Sequence, residues 1–199
     1  MNHQLNGLTH VLRPPVEFAT HLSHSQALLF MIEINQAKSK EDIERANQLN
    51  REYLSWCVEE ARRLLDEELN LDELYGHSLA DQDAFLADSG RLLVAKIDGK
   101  IGGIACLKGI RNNACEIKRM YVQPDFRGRR LGHKLVSRLI EEAKEIGYSL
   151  MLLDSDPYMS NAHSIYREFG FVDTNPYPEA EMDGNNYSKH MVYMELRLS

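Results

Sequence analysis

The feature that most constrains this chain is a junction at residues 116–146, where a strand-like run passes through a proline turn into an amphipathic helix. Met120-Tyr121-Val122 has the aromatic and β-branched character of a strand. Pro124 ends the strand because proline has no N–H to donate to a sheet. Beyond the turn, apolar residues recur on one helical face, at Leu131, Leu135, Val136, Leu139, Ile140, Ala143 and Ile146. The pattern predicts a strand and then a helix that ends at Gly147, which suits the positive φ of a C-cap.

The turn inside this junction is basic and contains glycine. Residues 116–134 carry a local net charge of +4 in a chain of net charge −7, from Lys118, Arg119, Arg127, Arg129, Arg130 and Lys134 against Glu116 and Asp125. Gly128 and Gly132 flank the predicted helix start, where unpaired N–H groups and the helix dipole favour an anion. The loop therefore suits a phosphate or pyrophosphate group. An ordinary basic turn, with glycines that only reverse the chain, explains the same spacing equally well.

The rest of the composition excludes several classes of protein. A length of 199 residues suits one domain, and no apolar run approaches the ~20 residues that span a bilayer. Cys57, Cys106 and Cys115 are odd in number and lack metal-ligand spacing, which predicts neither disulfides nor a metal site. Without a signal-peptide pattern, we expect a cytoplasmic protein without membrane contact. The acidic net charge argues against nucleic-acid binding, and the oligomeric state is left open, a homodimer included.

The N-terminal part of the chain is harder to interpret. We expect residues 1–27 to be an extension packed on the domain and residues 28–34 to form a first strand. Ser39 then begins a long helix or two helices over residues 40–69, whose apolar stripe includes Trp56 as an expected core residue. Residues 59–88 are strongly acidic, which favours a solvated face, with attraction of a cationic acceptor as the alternative.

The remaining elements alternate strands and helices. Asp98-Gly99 between apolar runs at 92–97 and 100–107 indicates a hairpin with a type I′ turn. A turn at 111–113 leads to the strand at 115–122, and the helix that follows is succeeded by a strand at 148–153, which implies parallel pairing. A helix at 161–169 and strands at 171–172 and 190–198 complete a mixed sheet. The loop at 174–188 between those last strands is a candidate for specificity.

Two segments carry a resemblance to a known family. Arg127-Gly128-Arg129-Arg130-Leu131-Gly132 resembles the acetyl-CoA signature of the GNAT superfamily of N-acetyltransferases, with Arg130 where the central glycine usually stands. With arginine there, N–H groups in ordinary φ/ψ would have to approach the pyrophosphate. The segment 161–171, Asn-Ala-His-Ser-Ile-Tyr-Arg-Glu-Phe-Gly-Phe, resembles the family's second motif. The resemblance covers about residues 28–198 and implies an α+β fold, a central mixed β-sheet flanked by helices, in a domain at 28–199.

The resemblance also implies a function and a set of site residues. The expected reaction is transfer of an acetyl group from acetyl-CoA to a primary amine of a small molecule or a protein by direct attack. The implied cofactor-binding residues are Met120, Tyr121, Val122, Arg127, Gly128, Arg129, Arg130, Leu131, Gly132 and Asn161. Tyr166 matches the general acid that protonates the leaving sulfur, and Glu116 stands where some members carry a general base.

Each of these roles has an alternative that the residues leave open. Tyr166 lies on the apolar face of its helix and could be pure core, and Asn161 could be a simple helix cap. Glu116 could be exposed, or paired with Lys118, without a catalytic role. A second class of function is a non-catalytic acyl-CoA-binding sensor or regulatory module with the same fold.

Overall fold

A computed structural model of the protein describes residues 31–180 and 186–199. Its strands are β1 (Ile32–Gln36), β2 (Arg91–Ile97), β3 (Lys100–Arg111), β4 (Ala114–Val122), β5 (Leu150–Ser155), β6 (Val172–Asp173) and β7 (Val192–Arg197). Its α-helices are α1 (Lys40–Leu65), α2 (Leu71–Ala80), α3 (Gln82–Leu86), α4 (Leu131–Ile146) and α5 (Ser160–Glu168). The predicted extension at 1–27 lies outside the described residues, and so do residues 28–30 of the strand predicted at 28–34; the described strand runs from Ile32 to Gln36.

The seven strands form one sheet in the order β1-β2-β3-β4-β5-β7-β6. All neighbours in the sheet pair antiparallel except β4 and β5, which α4 connects in parallel. The predicted mixed sheet flanked by helices is therefore confirmed. The parallel register runs only from Ala114↔Leu150 to Glu116↔Leu152. Beyond Glu116 the two strands diverge, and the main chain of β4 facing β5 is no longer paired with it.

Two backbone details shape the centre of the sheet. Asp98 and Gly99 have φ of 50° and 79°, which confirms the type I′ turn because that turn needs positive φ at both central residues. Arg119 also has a positive φ, 53°, at a register shift where β4 has one more residue than β3 opposite it. This β-bulge changes the direction of β4 just before it reaches the basic loop.

The N-terminal half contains the first of the two predicted alternatives, one long helix, and two further helices that were not predicted. A single helix of 26 residues, α1, begins where the Asp42 N–H donates to Ser39 Oγ at 3.0 Å and ends at Leu65. The two further helices, α2 and α3, lie in the acidic stretch, where the apolar pattern of the sequence predicts none. The first of them starts at Asn70, whose side chain accepts from the N–H groups of Asp72 and Glu73, a local cap that apolar periodicity does not report.

Helices cover both faces of the sheet. On one face, α4 and α5 bury an apolar core that includes Leu135, Leu139, Met151 and Tyr166. On the other face, α1 and α3 pack over a second core around Leu49, Phe85 and Ile104. A glycine positions the turn that leads to α4: a Cβ at Gly102 would lie 2.2 Å from the Phe126 ring. The 3₁₀ turn Pro124–Phe126 therefore sits directly against β3. No helix among residues 31–180 and 186–199 is long and apolar enough to span a membrane.

Candidate active site

Two cavities lie at the split between β4 and β5. The first, named here the outer cavity, has a volume of about 460 Å³ and lies between α1, the basic loop and the start of α5. The second, the inner cavity, has a volume of about 100 Å³ and extends along the diverging strands toward α2. The walls of both include Tyr53, Met120, Met159 and Ala162. The two cavities therefore adjoin at these four residues.

Most of the predicted cofactor-binding residues line the outer cavity. They are Met120, Tyr121, Val122, Arg127, Gly128, Arg130, Leu131, Gly132 and Asn161. Arg129 is the exception, because its guanidinium lies 5.9 Å from the centre of the Phe126 ring and the residue is not part of this wall. Asn161 is not the helix cap, since α5 is preceded by Met159 as N-cap. It stands instead in the first turn of α5, on the cavity.

The basic loop has the backbone geometry of a glycine-rich anion loop. Gly128 has φ of 75°, and Arg130, the N-cap of α4, has φ of 58° and ψ of 23° without capping the helix through its side chain. The expectation of ordinary φ/ψ at Arg130 is therefore wrong, because the arginine adopts the left-handed conformation that glycine would supply. A Cβ at Gly132 would lie 3.0 Å from Ile165 Cδ1, so this glycine brings the start of α4 close to α5.

The left-handed Arg130 leads to a testable prediction about stability. A non-glycine residue in this conformation costs ~1 kcal/mol or more relative to glycine. We expect Arg130→Gly to raise the free energy of unfolding by ~0.5–1 kcal/mol in chemical denaturation. Arg129→Gly, at a neighbouring position without a positive φ, is the matched control and should lower it by a similar amount. An equal loss of unfolding free energy in both variants would contradict backbone strain at Arg130.

The β4 end of the outer cavity is held by side chains from several elements. The Arg127 Nε–H donates to the Val122 carbonyl at 3.0 Å, and the Tyr121 hydroxyl donates to Glu52 on α1 at 2.7 Å. These bonds fix the end of β4 between α1 and the loop. Trp56 is only partly buried and lines this cavity, so its prediction as a core residue is wrong. Its ring packs edge-on against Tyr158, with 5.7 Å between centroids.

Tyr166 lies at the boundary of the two cavities. It is 5% exposed, lines the inner cavity, and directs its hydroxyl to Met120 Sδ at 3.6 Å. Its ring packs against Phe171 with 5.6 Å between centroids. Burial raises the pKa of this phenol well above its ordinary value. The side chain is therefore both a core residue and a protonated hydroxyl beside the place where the cavities meet.

Glu116 is fully buried and is not among the described residues that line either cavity. The Tyr177 hydroxyl donates to its Oε1 at 2.6 Å, and Lys118 Nζ lies 3.6 Å from the same oxygen. Burial raises the pKa of this carboxyl to about 7, against the opposing effects of Lys118 and Tyr177. The exposed alternative is wrong, and the geometry favours the alternative in which Glu116 pairs with Lys118.

Several polar groups of the inner cavity were not anticipated. Lys118 and Asp154 form an ion pair at 3.2 Å, and both line the cavity together with Ser155 and Asp156. Ser155 and Asp156 follow the buried run of β5, but the sequence carries no periodic signal that points them to a site. His163 stands within the second motif segment, where the resemblance assigned no role to it. Among the described residues there is no cluster of three or more potential metal ligands.

The site thus combines a parallel pair of strands that splits, a basic loop at the start of a helix and a tyrosine beside the split. The profile of the acetyltransferase (GNAT) family matches residues 45–171, and the chain belongs to that family.

Two relatives and one solved structure illustrate the similarity. An uncharacterized N-acetyltransferase of Schizosaccharomyces pombe is 31% identical over 170 residues, 84% of this chain and 96% of that protein. One of Dictyostelium discoideum is 40% identical over 84 residues, 42% of this chain but only 37% of that protein. An acetyltransferase structure from Salmonella typhimurium, solved with acetyl-CoA, has 22% identity and a TM-score of 0.59 over 84% of this chain and 94% of that one. This structure shares the fold.

Proposed function

We propose that this enzyme transfers an acetyl group from acetyl-CoA to the primary amine of a small molecule by direct attack. The main support for the proposal is the pair of cavities that adjoin at Met120. The Tyr166 hydroxyl lies 3.6 Å from the sulfur of that residue. Two substrates that react without a covalent enzyme intermediate need adjoining sites of this kind. The inner cavity, at about 100 Å³, suits a small acceptor better than a protein segment.

The residues of the outer cavity fit the chemistry of acetyl-CoA. Its pyrophosphate is an anion, and the start of α4 offers N–H groups beside Arg127 and Arg130. The main chain of β4 from Met120 to Val122 lies beyond its pairing with β5 and suits the amides of the pantetheine arm, and Asn161 can add a hydrogen bond. The thioester supplies the activated acetyl group. The role of the β4 N–H groups is to stabilise negative charge on its carbonyl oxygen.

In this proposal Tyr166 delivers the proton that the leaving thiolate needs. Its raised pKa keeps the phenol protonated at neutral pH, which is the state that a general acid must have. The left-handed Arg130 supports an intact cofactor site, because it keeps the glycine-like backbone at the position where the signature departs from the family.

Acetyl-CoA binding can be measured with the protein's own tryptophan. Trp56 is the only tryptophan and lines the outer cavity, so acetyl-CoA should change its fluorescence saturably, and CoA should do the same. Pantetheine, which lacks the pyrophosphate, should bind at least ~10-fold more weakly, because charge-assisted hydrogen bonds contribute ~1.5–3 kcal/mol. Trp56→Phe controls for the signal, and the melting temperature of that variant should still rise with acetyl-CoA. The absence of both responses would contradict the proposed cofactor site.

A further inference from the structure

Ser155 and His163 form a buried hydrogen-bonded pair next to the inner cavity. Ser155 is the last residue of β5 and lines that cavity. His163, on α5, is 6% exposed, and its Nε2 lies 3.0 Å from Ser155 Oγ. The Met159 sulfur, at 3.5 Å, is the other neighbour of the serine hydroxyl, but a thioether is a weak acceptor. The imidazole nitrogen is therefore the stronger partner for the Ser155 proton.

The surroundings of His163 favour the neutral imidazole. Burial has the largest effect and lowers the pKa of the imidazole, and the nearby Arg167 guanidinium of the same helix lowers it further. Asp173 on β6 and a hydrogen bond with the main chain of Asp156 act in the opposite direction, with smaller effects. If the ring nitrogen that bonds to the Asp156 main chain is Nδ1–H, Nε2 is left as an acceptor. A neutral acceptor behind a serine hydroxyl is the arrangement that lets the hydroxyl pass on a proton.

The geometry points to Ser155 and His163 as the route by which the proton of the acceptor amine leaves during the proposed acetyl transfer. The acceptor reacts as the neutral amine, after its ammonium form has lost a proton to solvent. As the amine nitrogen forms its bond to the acetyl carbon and the carbon–sulfur bond breaks, one N–H proton passes to Ser155 Oγ. The Ser155 hydroxyl proton passes at the same time to His163 Nε2. Tyr166 gives its proton to the thiolate. After the products leave, the imidazolium and the tyrosinate regain their neutral states by exchange with solvent.

This assignment rests on the proposed function. It gives the role of general base to Ser155 and His163 and not to Glu116. Glu116 is enclosed by Tyr177 and Lys118 and does not line the inner cavity. Ser155 lines that cavity together with Tyr166, so one hydroxyl can face the attacking nitrogen and the other the leaving sulfur. Ser155 is thus the catalytic residue, and His163 is a positioning residue that acts through it.

The test compares kcat for acetyl transfer to a saturating small primary amine in four variants and one control variant. We expect Ser155→Ala and His163→Gln each to lower kcat by ~10²-fold, the lower range of general acid–base catalysis. The double variant should be no slower than either single variant, because the two residues act as a unit. Ser155→Thr, which keeps the hydroxyl, should recover at least ~10-fold of the loss. Ser164→Ala is the matched control, since Ser164 is exposed on α5 and its hydroxyl donates to the Ser160 carbonyl at 3.0 Å.

The pH profile separates a relay from a merely structural pair. In the wild type, kcat should fall as the pH drops through the lowered pKa of His163, because the protonated imidazole cannot accept a second proton. His163→Gln should lose this acidic limb and keep its affinity for acetyl-CoA. Losses that add in the double variant, an unchanged acidic limb, or a Ser155→Ala enzyme with wild-type kcat would each overturn the relay.

The proposed function can fail independently of the relay. A wild-type protein that binds acetyl-CoA but acetylates no amine would contradict the proposed function and, with it, the relay. A wild-type enzyme with normal turnover and an unaffected Ser155→Ala variant would contradict the relay alone. If His163→Gln does not fold, the comparison of Ser155→Ala with Ser155→Thr still decides between the outcomes.

Discussion

Replacing Tyr166 with phenylalanine should lower kcat by ~10²-fold or more, since general acid catalysis contributes ~10²–10⁴-fold. The substitution removes the hydroxyl that lies 3.6 Å from Met120 Sδ where the two cavities meet. Because that sulfur is a weak hydrogen-bond acceptor, the fold should lose little stability. The ring still packs against Phe171, so the outer cavity keeps its shape. The expected effect is therefore confined to turnover.

The measurement is kcat together with the acetyl-CoA affinity read from Trp56 fluorescence. Affinity should stay within ~2-fold of the wild type, because the lost interaction acts only in the transition state. Tyr148→Phe is the control: its hydroxyl donates to the Ser89 carbonyl at 2.8 Å, and neither residue lines the two cavities. If the Tyr166→Phe enzyme has the kcat of the wild type, Tyr166 is not the general acid and serves only in the core.

The second large effect concerns Glu116 and pH. Its pKa is about 7 in the folded protein against an ordinary 4.5, so ionisation costs the folded state free energy as the pH rises from 4.5 to 7. Glu116→Gln can still accept from Tyr177 and carries no charge. We expect this variant to be more stable than the wild type above pH ~7, by roughly 3–4 kcal/mol at ~1.4 kcal/mol per pKa unit. The gain should shrink toward zero as the pH falls to 4.5.

Glu142 provides a control of opposite sign. Its side chain is 8% exposed and forms ion pairs with Arg91 and Arg138, and hydrogen bonds from these arginines lower its pKa against the opposing effect of burial. Glu142→Gln should therefore destabilise the protein at neutral pH, and the loss should fade as the pH drops through the lowered folded pKa. Denaturant unfolding of both variants from pH ~3 to 8 checks the two predictions, because the folded pKa of Glu142 lies below 4.5. A stability loss at pH 8 in Glu116→Gln would contradict the burial argument.

Local signals in the sequence were enough for the central elements. The positive φ values of a type I′ turn follow from Asp98-Gly99, and α4 begins and ends where its apolar face predicts. Both depend on neighbouring residues, so periodicity and turn chemistry report them. The same applies to the loop at 127–132, whose residues line the outer cavity apart from Arg129.

The features that the sequence did not reveal depend on contacts between distant elements. Glu116 is buried because Tyr177, far along the chain, covers it, and Trp56 faces a cavity because Tyr158 packs against it. The pairing of Ser155 with His163 likewise requires β5 and α5 to be packed together. Arg130 was misjudged for another reason: its left-handed backbone is imposed by the turn into α4, against the residue's own preference.

Amine-dependent release of CoA from acetyl-CoA, followed with a thiol-reactive dye, tests the central claim most directly. The protein's own three cysteines are buried, so the background should be low. The two-cavity account predicts release that saturates in acetyl-CoA and in a small primary amine. Double-reciprocal lines should intersect, because direct attack needs both substrates bound at once. Parallel lines would indicate a covalent enzyme intermediate. Acetyl-CoA binding without release, across a broad panel of small amines, would contradict catalysis itself.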